Sequence, residues 1–313
     1  MDQISTSTAW NAIMTSLMAG QTRENQLGAQ LSSGYVASDL KGYGANAETL
    51  SAMQAANTQV SGYITQTQLV GGQLAAQDTA LQQVASSASA IRNAVGNAVA
   101  TGDGSTLMSA LQAAFQSVIG GLNTTYNGQY LFSGGQSNTQ PVAAKTLADL
   151  TAAPSLASVF QNGQFTATAQ IDPNTTISTG VLADQVGTPL FTVLQNIEAF
   201  DQGPNGPFSG TLTAAQSSFL TSQLATLGAV GAGLNDVVAQ NGQAQSQVDS
   251  TQTNLTNQQT MLSGFIGDLA DANLAEASVN LQQAQLSMQA TGQVLLALKS
   301  SSLLNLLSAT PIG

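Results

Sequence analysis

Apolar residues recur at seven-residue spacing over long stretches near both ends of this chain. Trp10, Leu17 and Leu31 share one stripe, which Glu24 interrupts and Ile13 and Leu27 flank. Leu74, Leu81, Ala88 and Val95 form a second stripe, accompanied three residues further on by Val84, Ile91 and Ala98. Toward the other end Leu255, Leu262 and Leu269 form a third, and Leu274, Leu281, Met288 and Leu295 a fourth, offset by a register change. Such a repeat places apolar side chains on one seam of a helix, where a second helix can cover them. It predicts a helix from about Glu48 to Thr101, roughly 80 Å long at the α-helical rise. Thr101-Gly102-Asp103-Gly104-Ser105 interrupts that pattern. A shorter helix is predicted from Thr106 to Tyr126. The seams are weak: their intervening positions are often Gln, Asn or Ala. Glycines such as Gly71, Gly231 and Gly292 each cost a helix up to about 1 kcal/mol relative to alanine. These helices are expected to need partners, and the extreme ends to order on assembly.

Proline placement separates the helical arms from the middle. All seven prolines lie between Pro141 and Pro311, six of them in one block that also holds five of the nine phenylalanines. Proline removes a donor and clashes inside a helix, so the first arm and the stretch from about 212 to 308 are free to be helical. In the middle block Phe165 to Ile171 approaches strand alternation, bounded by Asn162-Gly163 and Asp172-Pro173. Thr188 and Pro189 suit the cap and first position of a short helix reaching Phe200. The predicted fold is mainly α, a long antiparallel coiled-coil-like bundle drawn from both chain ends with a small mixed α/β insert in the middle. The expected divisions are 1–45, an N-terminal helix and turn of an inner assembly domain, and 46–135, half of a helical rod with a hairpin. Residues 136–211 are a variable outward-facing insert, 212–270 the second half of the rod, and 271–313 the C-terminal helix of the inner domain.

Composition sharpens this picture. Charged residues make up 7% of the 313 residues, against roughly 25% in an ordinary soluble domain. Helices packed against neighbours can do without surface charge, because burying an unpaired charge is costly while burying a small neutral group is not. The deficit therefore points to assembly. The net charge is −11 with five basic residues, too few to neutralise nucleic-acid phosphates or to dock on an anionic membrane. The chain has no Cys and no His. That removes thiolate nucleophiles, Ser-His-Asp triads and zinc sites built from those residues. Met1 to Gly20 lacks the basic start and apolar run of a secretory signal. No stretch reaches the roughly 18 apolar residues of a membrane helix.

Two segments at opposite ends then identify a family. Leu27-Gly28-Ala29-Gln30-Leu31-Ser32-Ser33-Gly34 resembles the bacterial flagellin superfamily's segment ending in Leu-Ser-Ser-Gly, which precedes a turn and a long helix. Asp39 to Glu48 occupies the place of that turn. Asp268-Leu269-Ala270-Asp271-Ala272-Asn273-Leu274-Ala275-Glu276-Ala277 is similar to the family's Asp-x-Asp-x-Ala-Glu stretch. A Gln- and Leu-rich helix from Leu281 to Leu298 and the tail Ser302-Leu303-Leu304 follow it. Between the arms, Tyr126-Asn127-Gly128-Gln129-Tyr130-Leu131-Phe132-Ser133-Gly134-Gly135 resembles the aromatic hairpin of the branch that joins hook to filament. The low basic content and Tyr43 with its neighbouring glycines depart from the usual filament pattern.

The resemblance implies a structural subunit whose terminal helices pack into concentric tubes while the insert points outward. It implies partners: copies of itself, flagellin, an adjacent hook-associated protein, and an export chaperone with the flagellar export apparatus. It also implies an extracellular location in the flagellum, reached without a cleaved signal peptide. A filament flagellin and a flagellin-like surface protein that binds a ligand remain alternatives. The candidate assembly residues are Trp10, Ile13, Leu17, Leu27, Leu31, Leu274, Leu281, Met288 and Leu295. No catalytic, cofactor or metal residues are assigned. Asp268, Asp271 and Glu276 are read as a polar helix face. Gly42-x-Gly44-x-x-Ala47 follows no strand, so it is read as a turn rather than a dinucleotide loop.

Overall fold

A weak heptad stripe stays helical only if a second stripe covers it, and here the cover comes from the distant half of the chain. The structure, a computed structural model, describes residues 2–308, with side chains for residue 8 and residues 10–300. The expectation that the extreme ends order on assembly falls partly on residues 1 and 309–313, outside the described residues. The side chains of Ser302-Leu303-Leu304 lie outside them as well. Among the described residues seven helices run in the order α1 Asp2–Ser33, α2 Ala47–Thr101, α3 Leu107–Leu122, α4 Leu147–Ala152, α5 Ala183–Asp201, α6 Ala214–Ala270 and α7 Leu274–Ser308. Two antiparallel pairs interrupt them: β1 Thr125–Tyr126 with β2 Gln129–Tyr130, and β3 Thr168–Gln170 with β4 Thr176–Ser178. The fold is thus mainly helical, with small sheets confined to the middle of the sequence. The chain forms a terminal unit, residues 1–60 with 257–313, and a central unit, residues 61–256.

In the central unit α2 and α6 run antiparallel. The Leu74 carbonyl of α2 accepts from Asn241 Nδ2 and Gln245 Nε2 of α6, each at 3.1 Å. Further along, the predicted stripe of Leu81, Val84, Ile91 and Val95 is buried against Leu107, Leu111, Phe115 and Leu122 of α3 and Leu220 and Leu227 of α6. Gln83 and Ser87 hold α3 to α2 through Ser117. The middle block docks on this same core through Val142, Leu150 and Val159 and through α5. Phe191 of α5 is fully buried, edge-on to Phe115 at 5.0 Å and stacked on Phe160 at 5.1 Å. Such aromatic pairs add about 0.5–1.5 kcal/mol beyond the area they bury.

Three elements differ from the sequence prediction, each for a tertiary reason. Helix α5 starts at Ala183, five residues before Thr188, and Pro189 lies inside it. Its start is capped from outside the local sequence. Asn162 Oδ1 accepts from the Asp184 N–H, Asn162 Nδ2 donates to Asp184 Oδ1, and the Ala183 N–H donates to the Phe132 carbonyl. The strand expected over Phe165–Ile171 shrinks to Thr168–Gln170. Thr179 and Gly180 both donate to the Ala167 carbonyl, which ends the ladder there. Helix α3 stops at Leu122, where Asn123 leaves helical geometry and holds the main chain of Val142 with both ends of its amide.

Local hydrogen bonds predict two measurable effects. Thr146 and Asp149 form a reciprocal capping box at the start of α4. Thr146→Ala is expected to cost the central unit about 1 kcal/mol, read as a lowered urea midpoint with unchanged slope. Three carboxyls sit below their ordinary value of 3.8 because N–H and O–H groups donate to the ionised form: Asp103 accepts from Ser105, Asp149 from Lys145 and Thr146, and Asp172 from the Thr175 hydroxyl and the Asn174 N–H. A lowered folded value adds stability that is complete above the unfolded value and disappears as pH falls through the folded one. Melting temperature is therefore expected to hold down to about pH 4 and drop below it. Removing all three carboxyls as Asn should flatten that drop.

Candidate assembly surface

Both terminal helices place one apolar residue every three or four positions on a single side. Leu27 of α1 is buried against Ala277 and Ala284 of α7, with Leu31 and Leu281 packed around them. The pairing is antiparallel. Met288 reaches Gly20 so closely that a Cβ there would lie 3.0 Å from its Cγ. Gln285 Nε2 donates to Glu24 Oε1 at 3.3 Å, so the residue that interrupts the stripe has a polar partner on α7. Trp10, Ile13, Leu17, Met288 and Leu295 are half-buried at the continuing heptad positions. Eight of the nine predicted assembly residues thus lie on the covered or half-covered side of the α1–α7 pair. The ninth, Leu274, is exposed at the first turn of α7.

The uncovered apolar side chains are a different set. Twelve of the fourteen exposed large apolar residues among the described side chains belong to the terminal unit. Met18 on α1 is 61% exposed, and Val279, Leu286 and Leu296 on α7 are 62%, 66% and 66% exposed. At about 100° per residue, Val279 and Leu286 project from the side of α7 opposite Ala277, Leu281 and Ala284. Met261, Phe265, Tyr35, Val36 and Leu40 are exposed nearby in sequence to the α1 and α6 ends. Apolar side chains at this density on one unit mark a surface made to be covered.

The helix ends are joined by main-chain bonds. Gly34 takes φ +79° as α1 stops, a left-handed turn that glycine makes without a Cβ penalty, and its N–H donates to the Gln30 carbonyl at 2.8 Å. The Val36 N–H donates to the Ala270 carbonyl and the Ala272 N–H to the Gly34 carbonyl, both at 2.8 Å, so Tyr35 and Asp271 face one another as an antiparallel bridge. Gln30 Nε2 donates to the Val36 carbonyl at 2.8 Å. The stretch ending in Leu-Ser-Ser-Gly and the stretch beginning Asp-Leu-Ala-Asp are thereby tied directly together, though more than two hundred residues separate them. The bacterial flagellin N-terminal helical region matches residues 4–137, and the bacterial flagellin C-terminal helical region matches residues 224–307. The chain belongs to the bacterial flagellin family.

Two solved structures share this flagellin-family fold. One is a Vibrio parahaemolyticus protein provisionally described as a flagellar hook-associated protein. Its TM-score is 0.57 at 15% identity, over 71% of this chain and 96% of that one. The other is Bacillus cereus FlgL, with a TM-score of 0.52 at 15% identity, over 69% of this chain and 98% of that one. A search of curated protein sequences gives no match.

Within this flagellin-family chain the remaining candidates take ordinary places. Asp268 is exposed on the last turn of α6, and Asp271 sits in the bridge described above. Glu276 donates its N–H to Asn273 Oδ1 as part of the cap that starts α7. Among the described residues no three His, Cys, Asp or Glu side chains converge. Residues 40–46 form a 3₁₀ turn into α2, pinned by Asp39 Oδ1 accepting from the Gly42 N–H and by the Tyr43 hydroxyl donating to the Ala37 carbonyl. No described helix is long and apolar enough to cross a membrane. Heptad reading selects residues that pair inside the chain, and the exposed apolar residues Met18, Val279, Leu286 and Leu296 lie outside that pattern. Their signal in the sequence is an apolar side chain where the stripe calls for a polar one.

Proposed function

We propose that this flagellar structural protein is the subunit joining the hook side of the flagellum to the flagellin filament, by helical self-assembly of its terminal helices. The observation that carries this reading is the concentration of exposed apolar side chains on the terminal unit, around a seam that the chain closes by itself. Copies of the chain stacked side by side would cover Met18, Val279, Leu286 and Leu296. The junction place, rather than the filament shaft, is favoured by the hairpin at 125–130. There Asn127 and Gly128 take φ +51° and +79° and set a two-residue turn between Tyr126 and Gln129. It is favoured too by the chain's coverage of nearly the whole Vibrio hook-associated structure. Flagellin on one side and a hook-associated protein on the other are the partners. Export proceeds through the flagellar export apparatus with a chaperone, and the protein works outside the cell without catalysis.

Deleting the gene is expected to leave hooks without filaments and to release flagellin into the medium. Immunolabelling of wild-type cells should give a single band at the filament base. Label along the whole shaft would instead favour a filament flagellin, the reading that the matches to both flagellin helical regions also support.

A further inference from the structure

Four of the five phenylalanines in the middle block lie against another ring: Phe160 and Phe191 on each other, and Phe200 on both Phe208 and Phe219. Phe165 is the exception. It is 82% exposed, more than any other large apolar side chain among the described residues. Its backbone is nevertheless held on both sides. The Gly163 N–H donates to the Ser133 carbonyl at 2.8 Å, and the Ala167 carbonyl collects the N–H groups of Thr179 and Gly180. A Cβ on Gly134 would lie 2.8 Å from the Phe165 carbonyl oxygen, so this loop packs tightly on its neighbour. An exposed ring on a fixed backbone loses little further freedom when something covers it.

The same central unit carries a groove of matching chemistry. Between α5 and α6 it holds about 310 Å³. Val186, Val230 and Leu234, all buried, form its floor, and Pro189 and Gly233 stand exposed at its edge. A Cβ on Gly233 would meet no atom within 4 Å, so the groove is open at that turn of α6. No residue lining the groove is charged, and none from Gln161 to Ile171 is. The chain carries a net charge of −11, so two copies approach at least cost where uncharged patches meet.

We propose that Phe165 of one copy seats in the α5–α6 groove of a neighbouring copy. An apolar side chain that fits a pocket elsewhere on the same molecule makes a head-to-tail contact, which repeats from copy to copy. The inference rests on the self-assembly proposed above and adds a contact outside the terminal helices. A phenylalanine ring buries at most about 150–250 Å², against roughly 1,200–2,000 Å² in a stable interface. This contact does not hold two copies together by itself. It forms between copies that the terminal units already hold side by side, where a second contact is effectively intramolecular.

The test uses full-length protein with p-benzoyl-phenylalanine, a photo-reactive ring, in place of Phe165. Polymer is collected by sedimentation and illuminated, and the cross-linked peptides are identified by mass spectrometry. Cross-links are expected to residues 185–189 and 226–237 of a second copy. Gly233→Leu puts a side chain into the groove and removes a helical glycine, so it should melt no lower than wild type. It should reduce the cross-link yield about tenfold. In mixed polymers, photo-reactive chains that also carry Gly233→Leu should cross-link to Phe165→Ala chains, whose groove is open, and not to one another. Cross-links within one chain, cross-links to another surface, or a yield indifferent to Gly233→Leu would overturn the proposal while polymerisation itself stands. On intact flagella, cross-links to flagellin or another flagellar chain in place of a second copy would overturn it as well. Wild-type protein that never polymerises would overturn this contact and the self-assembly together.

Discussion

Changing Met18 and Leu286 together to glutamate is expected to stop polymerisation while leaving the isolated protein's helix content and melting curve unchanged. Both side chains are more than half exposed in the single chain and lie away from Leu27, Ala277 and Ala284. Their substitution therefore removes no contact of the α1–α7 seam. Burying an apolar side chain of this size contributes about 1.5–3 kcal/mol, and the two losses together raise the critical concentration for assembly at least about a hundredfold. Forcing a carboxylate into the interface adds further cost. Sedimentation of the polymer and circular dichroism of the monomer read the two halves of this prediction separately. Leu27→Asp supplies the contrast. It places a charge inside the seam itself and should lower monomer helicity as well as assembly.

Phe191→Ala should be the most damaging single change to the central unit. The ring is buried on α5, where it meets Phe115 from α3 and Phe160 from the middle block. Its loss opens a cavity at the point where three chain segments meet, and Phe→Ala changes in cores cost about 3–5 kcal/mol. Domains are stable by only about 5–15 kcal/mol, so a large share of the margin disappears. The melting transition of the central unit should fall by about 10 °C. The α1–α7 pair shares no residue with this cluster. A separate probe at Trp10, on α1, should accordingly report little change in its local environment.

The helical arms were readable because a repeat of seven encodes its own partner geometry. Leu81, Val84, Ile91 and Val95 are buried where the stripe puts them, and Thr101 ends α2 where the Gly-Asp-Gly run begins. The hairpin was readable through the family resemblance of Tyr126 to Gly135, and the structure shows Asn127 and Gly128, both at positive φ, making its turn. The start of α5 was hidden because its cap, Asn162, lies twenty-two residues upstream and acts through space. Local rules assign the start to Thr188-Pro189, yet a proline one turn further in is tolerated once the first turn is held by Asn162 and Phe132. Strand length in the middle block was hidden for a related reason: which carbonyl collects two donors, here Ala167, is settled by the return of the chain and not by alternation. On the candidate surface the periodicity picked out the inner face of α1 and α7, because an intramolecular seam and an intermolecular one are written in the same apolar residues. Only the structure separates Leu27, which is covered, from Leu286, which is not.

Methionine oxidation gives the most direct test of the claim that neighbouring subunits cover the outer faces of the terminal helices. Met18 should react readily with peroxide in the purified monomer, as a side chain 61% exposed. It should be strongly protected when the protein is assembled on intact flagella, with the modified peptide counted by mass spectrometry in both states. Equal oxidation of Met18 in monomer and flagellum would contradict the account.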